Sequence, residues 1–355
     1  MKTISRIAVA AVLTAFAGTA CAAEPSPVMR SVVEAAKKEG KLDLSWGGGL
    51  MGGDAGLAEL IKLMNATYGT AIAVRFTPGG SFPQMGAAVV TTFTAKQDSP
   101  TDVYLGTNQH IATFSRSKVF APIDWPALLP GRVDAAMVEA EGTAVRINTV
   151  IPGGIVYNAK LAPSAPTRLT DLLKPEWKGK IASQPYAATF DLLSAEGEWG
   201  EKGLQFAHDL SAQLGGLIRC NELERIASGE FLAMAMDCTG RDWLSAQRKG
   251  APIAFVVPAD FAAVRYYYLS VPLNAAHPNA AKLFIATLLS PEGQRILFRT
   301  ADVDLHTFPE SGMKAVIAEF EAKGIKFREF TVGWWNAHPE TDERTREAVK
   351  IISRK

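Results

Sequence analysis

Cysteine is scarce in this chain, with three in 355 residues, and no two of them form CxxC. That spacing is the usual mark of thiol redox catalysis, so a redox enzyme is not expected. The five histidines, His110, His208, His277, His306 and His338, are scattered and show no HExxH or similar metal-ligand spacing. No GxSxG occurs. The glycine-rich stretches lack the GK[ST] ending of a phosphate loop, and no acid on a second strand follows them as the GxGxxG of a dinucleotide site requires. Lys and Arg number 37 against 36 Asp and Glu, with no run of one sign, so nucleic acid and anionic membrane are not expected partners. Beyond the first residues no apolar run is long enough to span a membrane, and no internal repeat or low-complexity tract is present. These gaps leave little basis for expecting catalysis, a cofactor or a bound metal.

The N-terminus reads as an export signal. Lys2 and Arg6 precede the apolar core "IAVAAVLTAFAGTA", and small residues follow at "ACA" before "AEPSP". Cleavage is expected after Ala22, giving a periplasmic protein. Cys21 offers a lipoprotein alternative, against which Gly18 stands where a lipobox carries a large aliphatic. Removing Lys2 and Arg6 leaves 35 basic against 36 acidic residues, a net charge of −1. The mature chain is long enough for two cores. Cys220 and Cys238 remain, and in an oxidising compartment the pair is expected to form a disulfide, two separate buried thiols being the alternative. Closing a loop of that length is worth ~3 kcal/mol in the chain-entropy model.

What is present is an alternation of short apolar strands and amphipathic helices. "LDLSW" (42–46) leads to a helix near 54–68, "AIAVRF" (71–76) to one near 82–96, and "DVYLG" (102–106) to one near 109–117. This spacing indicates an α/β fold with largely parallel pairing, in which ligands sit beyond the carboxyl ends of the strands. The loops there are "WGGGLMGGDAG", "TPGGSFPQ" and "GTNQH". Each opens a helix whose first N–H groups lack intrahelical partners, so together they favour an anionic or strongly accepting group. Candidate contacts are Trp46, Gly47, Gly48 and Gly49 from the first loop. The second supplies Gly79, Gly80 and Ser81, and the third Thr107 and Asn108. The glycines would let backbone amides reach the solute, with Trp46 as a flat wall.

Past residue 150 the pattern starts afresh. "PTRLTDLLKPEWKGKIA" and, later, "HPNAAKLFIATLLSPEGQRIL" resemble the extracellular solute-binding proteins of ABC importers, and more narrowly the group for ferric iron and related small anionic solutes. The resemblance covers the chain from Gly40 to about Thr300, and both motifs are scaffold rather than ligand signatures. It implies a type II two-lobed fold, each lobe a mostly parallel sheet flanked by helices, joined by crossing hinge strands. Lobe one would comprise 23–150 and 265–325, lobe two 151–264, with 1–22 as signal and 326–355 as a C-terminal helical tail.

Ferric members of that family hold the metal with two adjacent tyrosines in the second lobe. The matching place here reads "DCTGRDW" (237–243), with no tyrosine. Asp237 and Asp242 alone are a thin set for a hard ion that wants phenolate and carboxylate. The tyrosines of "YYY" (266–268) match the returning strand instead, where neighbours alternate faces. Thr239 and Arg241 then face the first-lobe loops, Arg offering a planar fork for carboxylate or phosphate. Thr189 and Tyr267 complete the candidate contacts. The expected function is capture of a small anionic solute by hinge closure and its delivery to an ABC permease, by a monomer without cofactor. The alternatives are ferric iron or a ferric complex as cargo, an exported enzyme on the same scaffold, or a receptor feeding a sensor.

Overall fold

The computed structural model describes residues 26–185, 189–195, 199–200 and 202–354. The expected signal peptide therefore lies outside the described residues. Two sheets organise the chain. The first begins with Lys41–Trp46 and Ala73–Pro78, parallel and paired from Lys41↔Ala73 to Trp46↔Pro78. A parallel bridge from Leu44 to Val103 carries it to Tyr104–Thr107. That strand runs antiparallel to Ala263–Ser270, which also pairs antiparallel with Ala144–Val150 and parallel with Arg328–Phe330. The second sheet takes its strands only from the middle of the chain. Its order is Ile253–Val256, Ile155–Asn158, Ala233–Met234, Ile181–Ser183 and Leu214–Leu217.

Both sheets are thus mixed, for a reason in the chain path. Parallel pairs arise from strand–helix repeats, which return the chain to the same edge. Antiparallel pairs arise at the strands flanking the crossings: Ala144–Val150 and Ala263–Ser270, where the chain leaves the first sheet and comes back, and Ile155–Asn158, where it enters the second. The outward link is Ile151 to Gly154, and the return link is 257–262. The outward link is tied to the second sheet's 237–239 turn: Ile151 N donates to Thr239 O at 2.9 Å and Gly153 N to Asp237 O at 2.7 Å. Cys220 and Cys238 form a disulfide with Cα atoms 6.0 Å apart, bracketing a one-turn helix, Glu224–Ala227, and the two-residue strand Ala233–Met234.

Helix starts follow local chemistry. Ser26 and Ser290 each precede a Pro and accept from the third residue on, Met29 N at 3.1 Å and Gly293 N at 3.0 Å. The first sheet's face is filled by Trp46, Trp125 and Phe284, the second half by Trp177 and Phe190, all at most 2 % exposed. Three helices close the chain: Gly312–Glu321, Val332–Ala337 and Glu340–Ile352. No helix among the described residues is long and apolar enough to cross a membrane.

Candidate functional site

A cavity of about 590 Å³ opens between the two sheets. From the first half it is lined by Ser81, Phe82, Thr107, His110, Arg265 and Tyr267. Thr189 and Cys238 line it from the second half, and Asp342, Thr345 and Arg346 from the C-terminal helix.

Strand register builds the floor. Tyr267 sits opposite Thr107 on one side and Asn148 on the other, so the three side chains share a face. Period-two alternation puts Arg265 on that face as well. Tyr266 and Tyr268 point the other way. Arg146 lies 4.2 Å over the Tyr266 ring, and the Tyr268 hydroxyl donates to Glu139 at 3.3 Å. Tyr267 meets Phe82 edge-on at 5.4 Å. Burial pushes its phenol up while Arg241 and Arg265 pull it down, so it is a neutral donor at neutral pH.

Two helix N-termini form one wall: Phe82–Thr94, capped by Ser81, and Asn108–Ser115, capped by Thr107. The Gln84 carboxamide oxygen reaches back to accept from Ser81 N at 2.8 Å. At the second helix His110 takes the equivalent place, its Nδ1 3.3 Å from Thr107 N and 2.8 Å from the Thr107 hydroxyl. An N–H can only donate, so Nδ1 is the accepting nitrogen and the neutral ring carries its proton on Nε2. Burial, helped by the charge of Arg265, pushes His110 down to about 3, so the ring stays neutral.

The opposing wall carries a strained residue. Thr189 adopts φ 77°, a left-handed conformation that a β-branched residue rarely takes. It is 1 % exposed, and its hydroxyl has no hydrogen-bond partner. The Thr239 hydroxyl and the Asn108 carboxamide are likewise buried without partners. Orphaned buried groups cost free energy, which a polar ligand would recover.

The loop at 237–243 is more self-contained than its sequence suggests. Asp237 accepts from Thr239 N at 3.0 Å and from Gly240 N, so those amides are already used. Burial, helped by the charge of Asp242, pushes Asp237 up to about 6, against the pull of the two amides and Arg241. Arg241 lies with Nε 3.1 Å from Asp242 Oδ1 and is 15 % exposed. Its charge reaches Tyr267, and its contact with Asp242 is an ion pair through Nε alone.

The residues expected from the sequence are thus divided. Ser81, Thr107, Thr189 and Tyr267 meet at the cavity. Asn108 is buried at the start of one lining helix, and Thr239 and Arg241 belong to the adjoining turn. Gly79 and Gly80 back the wall, where an added Cβ would sit 2.6 Å from Ser45 Oγ and 2.5 Å from Gln84 Oε1. Trp46 is not at the cavity. It is 2 % exposed and packs between Phe76 at 5.4 Å and Phe284 at 6.1 Å.

Gly47, Gly48 and Gly49 are not among the lining residues either. The glycine-rich loop instead serves a turn and a helix contact. At Gly52, φ is 79° and a Cβ would fall 2.2 Å from Thr300 Oγ1; at Gly56 it would fall 2.5 Å from Met51 O. Helix Pro291–Ala301 can seat only where those side chains are missing. Gly48 has nothing within 4 Å of a built Cβ. Gly48→Val is therefore expected to change stability by less than about 0.5 kcal/mol, whereas Gly56→Val should cost about 1–3 kcal/mol or more from overpacking. Urea unfolding of the two variants checks this; the reverse order would overturn the packing role assigned to Gly56.

Arg265 and the C-terminal helix were missed from sequence. Arg265 could have been found by stepping two residues back from Tyr267 along the strand. Nothing in the sequence signals that residues 342–346 fold back to the cavity.

A family model described as bacterial extracellular solute-binding protein matches residues 98–319. A stretch of 143 residues, 37% of this chain, is 35% identical to the Fe(3+)-binding periplasmic protein of Serratia marcescens, and spans only 39% of that protein's length. The substrate-binding protein of an ABC transporter from Agrobacterium tumefaciens superposes with a TM-score of 0.70 at 16% identity, over 88% of this chain and 96% of that one. AfuA from Actinobacillus pleuropneumoniae, with fructose 6-phosphate bound, gives 0.66 at 19% identity, over 88% and 98%. Likeness at these identities establishes the fold.

Proposed function

The chain belongs to the bacterial extracellular solute-binding proteins, and on that premise we propose that it captures a small, oxygen-rich anion in the cavity between its sheets and delivers it to an ABC permease. The observation that carries this reading is the donor-rich lining. Arg265 is buried at 7 % exposure, two helix N-termini open beside it, and the Thr189 hydroxyl is orphaned. The one carboxylate among the lining residues, Asp342, already accepts from Gln109 Nε2 at 3.2 Å and Trp335 Nε1 at 3.3 Å. Lobe one would be 23–150 with 265–325 and lobe two 151–264, closing by rotation about the links at 151–154 and 257–262. Solute contacting both halves only when closed shifts the population to that form. Residues 1–22 would direct export to the periplasm.

The relative from Serratia marcescens carries iron in its name, which keeps ferric cargo as the second reading. The donor set argues against it. Tyr267 is a single phenol raised by burial, Asp237 is occupied by two amides, and Asp242 by Arg241. Among the described residues, the His, Asp and Glu side chains close enough to share an ion are Asp43, Asp102 and His277. None of these lines the cavity. There His277 Nδ1 lies 2.8 Å from Asp102, and Arg75 pairs with Asp43 at 2.7 Å.

Calorimetric titration with inorganic phosphate, fructose 6-phosphate, succinate, putrescine and ferric citrate tests the reading. An anion is expected to bind and putrescine not to. Saturable binding of putrescine alone would overturn it.

A further inference from the structure

The C-terminal segment crosses from one half to the other. It begins with Arg328–Phe330, paired with Ala263–Arg265 in the first sheet. Helix Val332–Ala337 follows, packing on Asn108–Ser115 with Trp335 fully buried. Helix Glu340–Ile352 then lies against Phe190–Ala195 and Lys202–Gln213 of the second half. Its apolar face, Ala348, Ile351 and Ile352, is buried there, and the Ser211 hydroxyl donates to Ile351 O at 3.3 Å. Spacing of three and four residues puts Asp342, Thr345 and Arg346 on one face. All three line the cavity.

That face is held in place from the first half. Asp342 accepts from Gln109 and Trp335, fixing the helix's first turn against the cavity wall. The Thr345 hydroxyl donates to Thr341 O at 2.7 Å, which leaves its lone pairs to accept from a solute hydroxyl. Arg346 is exposed where Arg265 is buried, so the cavity has one guanidinium at its floor and another toward solvent.

We infer that the C-terminal helix is a third wall of the binding site and that Arg346 is a specificity-determining residue, reading an outer anionic group on a solute whose inner anionic group meets Arg265. This rests on the anion reading above. It favours an elongate, hydroxyl-bearing solute with an accepting group at each end over a compact anion. Without the helix the site would hold only the inner group.

The test compares inorganic phosphate with fructose 1,6-bisphosphate by calorimetry in wild type, Arg346→Ala and Arg346→Lys, using the full chain. Wild type is expected to bind the bisphosphate more tightly than phosphate. Arg346→Ala should weaken the bisphosphate about tenfold, the size of one charge-assisted hydrogen bond at a partly solvated site. It should leave phosphate unchanged, and Arg346→Lys should fall between. If wild type binds the anions and Arg346→Ala treats both as wild type does, the third wall is wrong and the anion reading stands. Equal weakening of both would also overturn it, because it would show a diffuse charge effect. If neither probe binds wild type, the anion reading falls and this inference falls with it.

Discussion

Arg265→Glu is expected to weaken binding of an anionic solute by more than a hundredfold. The guanidinium lies at the cavity floor at 7 % exposure, on the same strand face as Tyr267 and facing the two helix N-termini. A charge-assisted hydrogen bond is worth ~1.5–3 kcal/mol. Reversal adds repulsion in a site screened little by solvent. At ~1.4 kcal/mol per decade the sum exceeds two decades. Arg241→Ala, by contrast, should cost less, because that side chain is paired with Asp242 at 3.1 Å. Arg265 has a partner within the fold, so Arg265→Lys serves as the control for folding. It should keep the native circular dichroism and most of the affinity. Titration with whichever anion binds wild type most tightly gives the comparison. Unchanged affinity in folded Arg265→Glu would remove Arg265 from the site.

Trp46→Ala is expected to cost ~3–5 kcal/mol of stability, in the range for deleting a fully buried large aromatic. The indole is 2 % exposed between Phe76 and Phe284, where the first sheet meets helix Pro278–Leu288. No relaxation short of moving that helix refills the space. Urea unfolding reads the loss directly, and affinity in the folded fraction should be near that of wild type. A variant of normal stability that no longer binds would return Trp46 to the ligand, as its sequence context suggests.

Much of the architecture was legible in the sequence. Strand–helix alternation gave the first-half units, with strand and helix ends shifted by at most two residues. The restart after residue 150 reflected a second sheet whose strands come only from 155–256. Cys220 and Cys238 paired because the chain between them folds into one compact unit.

The site was legible where a rule of geometry applied. Ser81 and Thr107 cap helices at strand ends, and alternation along "YYY" singles out Tyr267. It was not legible where tertiary contact decides. Glycine looks the same whether it admits a ligand or a neighbouring helix, and at Gly52 and Gly56 the neighbour is Thr300. An arginine beside an aspartate in sequence looks free until Arg241 is seen against Asp242. Arg346 lies some eighty residues from Arg265 in the chain, and only the backward path of the C-terminal helix brings both to one cavity.

The central claim is that an anion is held between the two sheets by the first-half helix N-termini, Arg265 and Thr189. A crystal structure with the tightest-binding anion of the titration series tests it most directly. The account predicts the anion within hydrogen-bonding distance of Arg265 and the Thr189 hydroxyl, beside the helix starts at Ser81 and Thr107. An anion bound instead at Gly47–Gly49, with the cavity holding only water, would contradict it.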